Sequence, residues 1–226
     1  LRLGTRVVHL LAAGAVLIVV GGAWILAVEL TTDRPWLGNT SDNSALSLLF
    51  GYNGFGRVDG QTGGTSSNGG IGGVFSGAPG LFRLLNDALG DQVAWLLPLA
   101  VVGGCSAAIW AWRRRRSQLG PLLIVGGWFV TAAGILSISA GIVHTYYVSA
   151  LAPAVCALAG IGAVSLSRDA RRAGPWVGPP LLAVVFTAWL QITLLDRSGY
   201  RPWLVQVVVA AAVLACSGLV ARFCFA

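Results

Sequence analysis

Apolar and polar positions divide the chain into six long apolar runs, short polar joints and one long polar stretch. The runs are 7–28, 93–112, 121–143, 148–166, 175–195 and 203–221, and none contains Asp, Glu, Lys or Arg. A helix crossing a hydrocarbon core needs about 20 apolar residues. A single charge at its centre costs ~2.5–3.5 kcal/mol. The pattern therefore predicts an all-α integral membrane protein with about six transmembrane helices. His9 stands near the start of the first run, within reach of the interface. That run is too long for a cleavable signal peptide and lacks a small-residue cleavage site before Thr31-Thr32-Asp33.

The polar stretch, 31–92, has three parts. In the first, residues 42–50 predict a short helix capped by Asp42 or Ser44, with Ala45, Leu46, Leu48, Leu49 and Phe50 on its apolar side and Gly51 as its stop. The segment "GYNGFGR", residues 51–57, follows, with three glycines that let backbone approach a ligand. Two readings of it stand. Tyr52, Asn53 and Arg57 offer an aromatic face, an amide and a fixed cation to a sugar phosphate, or the segment is a tight turn whose aromatics anchor at the interface. The second part, 60–80, holds nine glycines in 21 positions and predicts a flexible linker. In the third, "GLFRLLNDALGDQ", Leu81, Phe82, Leu84, Leu85, Ala88 and Leu89 share one helical face. Arg83, Asn86 and Asp87 lie elsewhere, which predicts an amphipathic interfacial helix.

Composition agrees with a bilayer setting. Of 226 residues, 56% are hydrophobic and 10% charged, with mean hydropathy +0.77; a soluble domain carries about 25% charged residues. All 15 basic residues are Arg, so a Walker phosphate loop, which needs Lys, is excluded. Methionine is absent and residue 1 is Leu, which suggests a piece of a longer protein. Cys105, Cys156, Cys216 and Cys224 lie in apolar runs without a CxxC pair and read as small buried hydrophobes.

The arginines set the expected orientation. Arg2, Arg6, Arg113–Arg116, Arg168, Arg171, Arg172 and Arg222 face one side with a single acid, Asp169, for a charge of +9. Arg34, Arg57, Arg83, Arg197 and Arg201 face the other with seven acids, for −2. The first side is then cytoplasmic and holds both termini, while the 31–92 loop and the joint 144–147 are extracytoplasmic. With this topology the basic charge reflects orientation and lipid contact, not nucleic-acid binding. Asn39-Thr40-Ser41 matches a glycosylation acceptor by chance, since the all-Arg, Ala/Val/Gly-rich composition resembles that of a GC-rich bacterium.

No Ser–His–Asp arrangement, metal-ligand spacing or paired carboxylate is evident, and no cofactor is identified; a divalent metal stays open for a full-length enzyme. The sequence does gather arginines, tyrosines and asparagines at one membrane surface, a set suited to a phosphate at headgroup level with a sugar above it. Arg57 or Arg83 can pair with phosphate oxygens. Arg34 and Arg201, each followed by Pro and an aromatic, read as interface snorkellers. The joint "HTYY", with His144, Tyr146 and Tyr147, reads as an aromatic belt or as the rim of a site.

Four stretches carry a resemblance: "RPWLGNTSDNSALSLLFGYNGFGR", the glycine-rich linker, "GAPGLFRLLNDALGDQVAWLLP" and "GIVHTYYVSALAPAVCALAGIGA". In this order, over about residues 25–165, the chain resembles the bacterial protein-mannosyltransferase-type family, in its actinobacterial branch akin to aminoarabinose transferases. The resemblance implies part of a type C membrane glycosyltransferase fold. Such an enzyme takes sugar from a polyprenyl-phosphate donor to an acceptor of the cell envelope at the outer face of the plasma membrane. It further implies that a Tyr just before the "AP" helix start contacts the lipid phosphate: Tyr146, with Tyr147 as the alternative. His144 stands where relatives carry His or a basic residue. The family's catalytic Asp belongs to an earlier loop, so no catalytic residue is expected in this chain. Two other classes are weighed against this reading. A lipid-linked-sugar transporter would use mid-membrane polar groups, for which only Gln191, Gln206 and Pro98 offer themselves. A non-catalytic assembly module would use the linker and interfacial helices to bind a partner.

Overall fold

The computed structural model describes residues 2–60, 76–114, 116–172, 174–199 and 201–224. The linker expected over 60–80 falls largely on residues 61–75 and lies outside the described residues. Among the described residues there is no β-strand. Six long helices follow one another: α1 (Leu3–Leu30), α2 (Leu97–Arg114), α3 (Leu119–Ile138), α4 (Ala152–Ala170), α5 (Gly178–Ser198) and α6 (Trp203–Cys224). Among the described residues, five helical stretches are long and apolar enough to cross a membrane: Leu3–Leu30, Gly90–Arg113, Leu119–Ile138, Gly174–Ser198 and Trp203–Cys224. The chain is thus a helical integral membrane protein. The long helix outside that set is α4. The run expected from 148 begins as a tight 3-10 turn, Thr145–Ala150, and the helix itself continues past the run through Arg168 and Asp169.

The chain forms two compact units. The first holds the described residues up to 60 together with Ala140–Ile142. Its α1 has 28 residues, about 42 Å of helix, and buries none of them. What organises this unit is polar chemistry beyond the end of α1. Arg34 turns back on the last turn, donating to the carbonyls of Val28, Glu29 (2.8 Å) and Thr31 (3.3 Å), so a cation meets the negative end of the helix. The Glu29 carboxylate accepts from the Ser44 hydroxyl (2.7 Å) and the Ala45 amide (2.8 Å), tying α1 to the start of the next helical segment. There Ser44 Oγ accepts from the amides of Leu46 and Ser47, and Asp42 accepts from the Ser44 amide and the Ser47 hydroxyl. Of the two expected caps, Ser44 is the one used, and Asp42 braces it. Gly51 does not stop the helix: the backbone widens into π-type turns over Ser47–Phe55, with Gly54 off helical geometry, and closes in a last turn, Gly56–Asp59. A Cβ on Gly54 would lie 2.9 Å from the Leu49 carbonyl oxygen, so the widened turn requires glycine there.

The second unit is held by packing. α2 is its centre and lies chiefly against α4, then α5; α6 packs on α5. α2 and α4 cross where Gly103 meets Gly162, so closely that a Cβ on Gly162 would stand 2.6 Å from Gly103 Cα. Small residues that let backbones approach are the usual device for joining helices in lipid. Around the upper part of this crossing Leu89, Leu151 and Leu194 are fully enclosed, with Val148, Val155 and Leu158 beside them. The amphipathic helix expected after residue 80 is not continuous. Arg83–Leu85 makes a single 3-10 turn and Gly90–Val93 one α turn, kept apart because Asn86 Oδ1 captures the amides of Ala88 and Leu89 and cuts the helical ladder. The cysteines are free thiols; Cys105, Cys156 and Cys224 are exposed on helix surfaces rather than buried, a correction to the expectation. In lipid an exposed helix face is covered by acyl chains, so apolar thiols need no protein interior.

Candidate functional site

His144, Tyr146 and Tyr147 come together at the N-terminal end of α4, in the second unit. His144 is extended (φ −78°, ψ 147°) and precedes the 3-10 turn Thr145–Ala150, which places its ring over those that follow. The His144 and Tyr146 rings stack, 5.3 Å between centroids and 7° apart in plane. Tyr147 meets both edge-on, at 5.5 and 4.9 Å. Such offset and edge contacts are the favoured aromatic geometries. The turn is pinned beneath by the Trp128 indole N–H, which donates to the Ala150 carbonyl at 3.0 Å, and by the enclosed Val148 and Leu151. The two tyrosines differ. Tyr147 packs against the apolar core, whereas Tyr146 is 62% exposed. Tyr146 thus keeps much of its surface open while its ring lies stacked on the His144 imidazole.

Tyr52, Asn53 and Arg57 form a second cluster, in the first unit. The Arg57 guanidinium lies 5.3 Å from the Tyr52 ring centroid and donates to Asn53 Oδ1 (3.3 Å) and to the Ile142 carbonyl (2.8 Å). Ala140 and Gly141 donate to the carbonyls of Val58 (2.8 Å) and Arg57 (3.1 Å). Gly141 is pressed so tightly on this turn that a Cβ would come within 2.5 Å of the Gly56 carbonyl oxygen. The cation is thereby fixed on a rigid support, partly exposed, with an aromatic and an amide beside it.

Arg83 has a different setting. It is 3% exposed, and its guanidinium donates to the carbonyls of Ser76, Leu136 and Ser139 and to the Ser76 hydroxyl. Burial draws its pKa below the ordinary arginine value. Its donors serve the open carbonyls at the C-terminal end of α3, where a cation also complements the helix dipole. Gln191, weighed as a transporter's mid-membrane group, donates to the Trp95 carbonyl at 3.1 Å. That carbonyl lies in the 3-10 turn Ala94–Leu96, just before Pro98 restarts the helix as α2.

Sequence reasoning gave one group a place in the charge balance alone. Asp169, 5% exposed, turns inward from α4, with Oδ2 accepting from Ser106 Oγ at 2.5 Å and Oδ1 3.5 Å from Arg172. Ser165 shares the Ser106 hydroxyl at 2.7 Å. Ser165 and Asp169 stand four apart on α4, and with the Ser in the facing run this spacing was the available signal. Among the described residues no cluster of three or more His, Cys, Asp or Glu has metal-binding geometry.

A helical membrane protein with two ordered aromatic–polar clusters is the class these observations define. Against proteins of known description, the chain is 28% identical to "Putative mannosyltransferase YycA" of Bacillus subtilis (strain 168), over 77% of this chain and 37% of that protein. It is 27% identical to "Putative mannosyltransferase YkcB" of the same organism, over 76% of this chain and 36% of that protein. The chain thus spans little more than a third of the length of these two relatives. No family profile and no solved structure matches it. The mannosyltransferase-type resemblance carried by the four motifs agrees with these similarities.

Proposed function

We propose that the chain is part of a membrane glycosyltransferase that moves a sugar, with inversion, from a polyprenyl-phosphate donor to a cell-envelope acceptor. The arginine distribution favours a multi-pass protein of the bacterial plasma membrane, with both termini cytoplasmic and the aromatic joint on the outer face. The observation that carries the assignment is Tyr146, open to its surroundings yet held by His144, in a chain similar to two proteins named as mannosyltransferases. In the reaction, a base outside this chain takes the proton of an acceptor hydroxyl. The oxygen attacks the anomeric carbon, the bond from that carbon to the phosphate oxygen breaks, and its electron pair leaves on polyprenyl phosphate. Tyr146 O–H donates to the phosphate as that charge grows, and His144 orients the ring. Arg57, backed by Tyr52 and Asn53, offers a fixed cation for phosphate or an amide and ring for sugar. Arg83 holds the chain's own carbonyls and is assigned no ligand. The transporter alternative has less support, because Gln191 is occupied with a backbone carbonyl.

Turnover of a polyprenyl-phosphate sugar by the full-length protein tests this. Tyr146→Phe is expected to lower turnover by about 100-fold, the usual cost of one donor to a developing anion, and Arg57→Ala to lower it as well. Tyr147→Phe keeps turnover within a few fold. Wild-type rates in both Tyr146→Phe and Arg57→Ala, at normal expression, would sink the site assignment.

A further inference from the structure

At the other end of α4 the second unit has a groove that the transfer reaction does not use. It is a cavity of about 360 Å³ between α2, the end of α4 and the start of α5. One wall is a stripe of α2, Val101, Cys105 and Ile109, repeating every fourth residue and ending on Arg113. That stripe covers about 18 Å of helix, a length of the order of an extended acyl chain. Leu182 of α5 closes the opposite side. Val101, Ile109 and Leu182 are all exposed, so the groove opens along its length on the outside of the bundle.

Charge gathers at one end of this apolar slot. Arg113 and Arg172 both line it and both are exposed. The Arg172 guanidinium also lies 5.4 Å from the Trp176 ring centroid, which limits its freedom. The acid in the lining, Asp169, is buried, and both its oxygens are engaged, by Ser106 and Arg172. Two cations against one carboxylate leave one positive charge in excess. Pro179 in the lining contributes no amide donor, and the cationic donors that the groove offers an anion are the two guanidinium groups.

We propose that this groove binds an anionic phospholipid, one acyl chain along the Val101–Cys105–Ile109 stripe and the phosphodiester between Arg113 and Arg172. A singly charged headgroup balances the excess charge, and Arg offers paired N–H donors to phosphate oxygens. A zwitterionic lipid supplies its own cation and gains less. The site is distinct from the donor-phosphate assignment: α4 alone separates it from the aromatic cluster by about 28 Å, roughly the thickness of a hydrocarbon core.

Native mass spectrometry of the full chain with phosphatidylglycerol or phosphatidylcholine tests the proposal. A juxtamembrane Arg contributes about fivefold to anionic-lipid affinity. Arg113→Gln is therefore expected to weaken phosphatidylglycerol binding about fivefold, and Arg113→Gln with Arg172→Gln about 30-fold. Phosphatidylcholine binding stays unchanged. Ile109→Trp fills the stripe, keeps both arginines, and weakens phosphatidylglycerol binding too; it also decides the matter should loss of the Arg172–Asp169 contact unfold the double variant. Arg171→Gln and Tyr146→Phe leave binding as in the wild type. Equal affinity for the two lipids, or unchanged binding in both Arg113→Gln and Ile109→Trp, overturns the proposal. Displacement of phosphatidylglycerol by millimolar inorganic phosphate also overturns it, since the groove would then be a free-phosphate site without an acyl slot.

Discussion

The two units of this chain reach order by opposite means. In the first, α1 buries no residue, and structure begins where side chains meet backbone: Arg34 on the last carbonyls of α1, Glu29 on Ser44 and Ala45, Arg57 on Ile142. In the second, helices touch through glycine and enclosed leucine. The difference follows from the solvent. Inside lipid an apolar helix gains little from burying another apolar face, so association depends on close fit. Beyond the hydrocarbon, connecting chain must satisfy its own polar groups, and hydrogen bonds with fixed partners decide its path.

The largest effect is expected at the closest fit. Gly162→Leu places a branched side chain where a Cβ alone would come within 2.6 Å of Gly103 Cα. Because the obstacle is backbone, α2 and α4 must separate, at a cost of about 3 kcal/mol or more. Thermal unfolding in detergent should show a large fall for the second unit. An unchanged midpoint would mean that fit at this crossing does not hold the unit together.

Arg83 is the exception inside the packed unit, and it sharpens the contrast. Replacing it with Leu leaves three carbonyls and the Ser76 hydroxyl without their cation, a loss of about 2–3 kcal/mol. Arg83→Lys recovers part of this, since an ammonium reaches fewer of those oxygens at once. Equal stability for Leu and Lys would show that apolar packing alone holds the 81–89 turn.

How much of this could be read in advance divides along the same line. The six apolar runs correspond to the six long helices because hydrophobic period and length are properties of local sequence. The ends of those helices were less legible. α4 starts at Ala152, after the Thr145–Ala150 turn, and runs on through Asp169 because that carboxylate finds Ser106 on another helix. The residues after 80 carry an apolar helical stripe, yet Asn86 takes two amides out of the ladder. Arg83 lay off that stripe, and its burial depends on carbonyls 53 and 56 residues away. At the aromatic joint the sequence put three rings within four positions. Only the fold makes His144 stack on Tyr146 and sends Tyr147 to the core.

A smaller effect is expected in the first unit. Glu29→Gln keeps the shape of the side chain at the end of α1 but weakens acceptance from Ser44 and Ala45 and removes the charge facing Arg34. Limited proteolysis between 34 and 45 should accelerate, while the unfolding midpoint of the second unit stays put. A matching drop in that midpoint would contradict the separate origins of order.

Acid should act on the same segment first, and weakly. The Asp42 carboxylate accepts from the Ser47 hydroxyl and from the Ser44 amide, and these bonds hold its pKa below the ordinary aspartate value. A carboxyl lowered by folding binds fewer protons than the unfolded chain. Its contribution is therefore complete above the ordinary value and is lost as pH falls through the lowered one. Between neutral pH and the ordinary aspartate value the Ser44–Ser47 turn should hold steady; below that value it should loosen. The amide resonances of Ser44 and Ser47, followed down the pH scale, should move together with that lowered midpoint. In Asp42→Asn the turn should be looser at neutral pH and should lose this acid transition. A transition that persists in Asp42→Asn assigns it to another acid, and Glu29, which holds the Ser44 hydroxyl, is the neighbouring candidate.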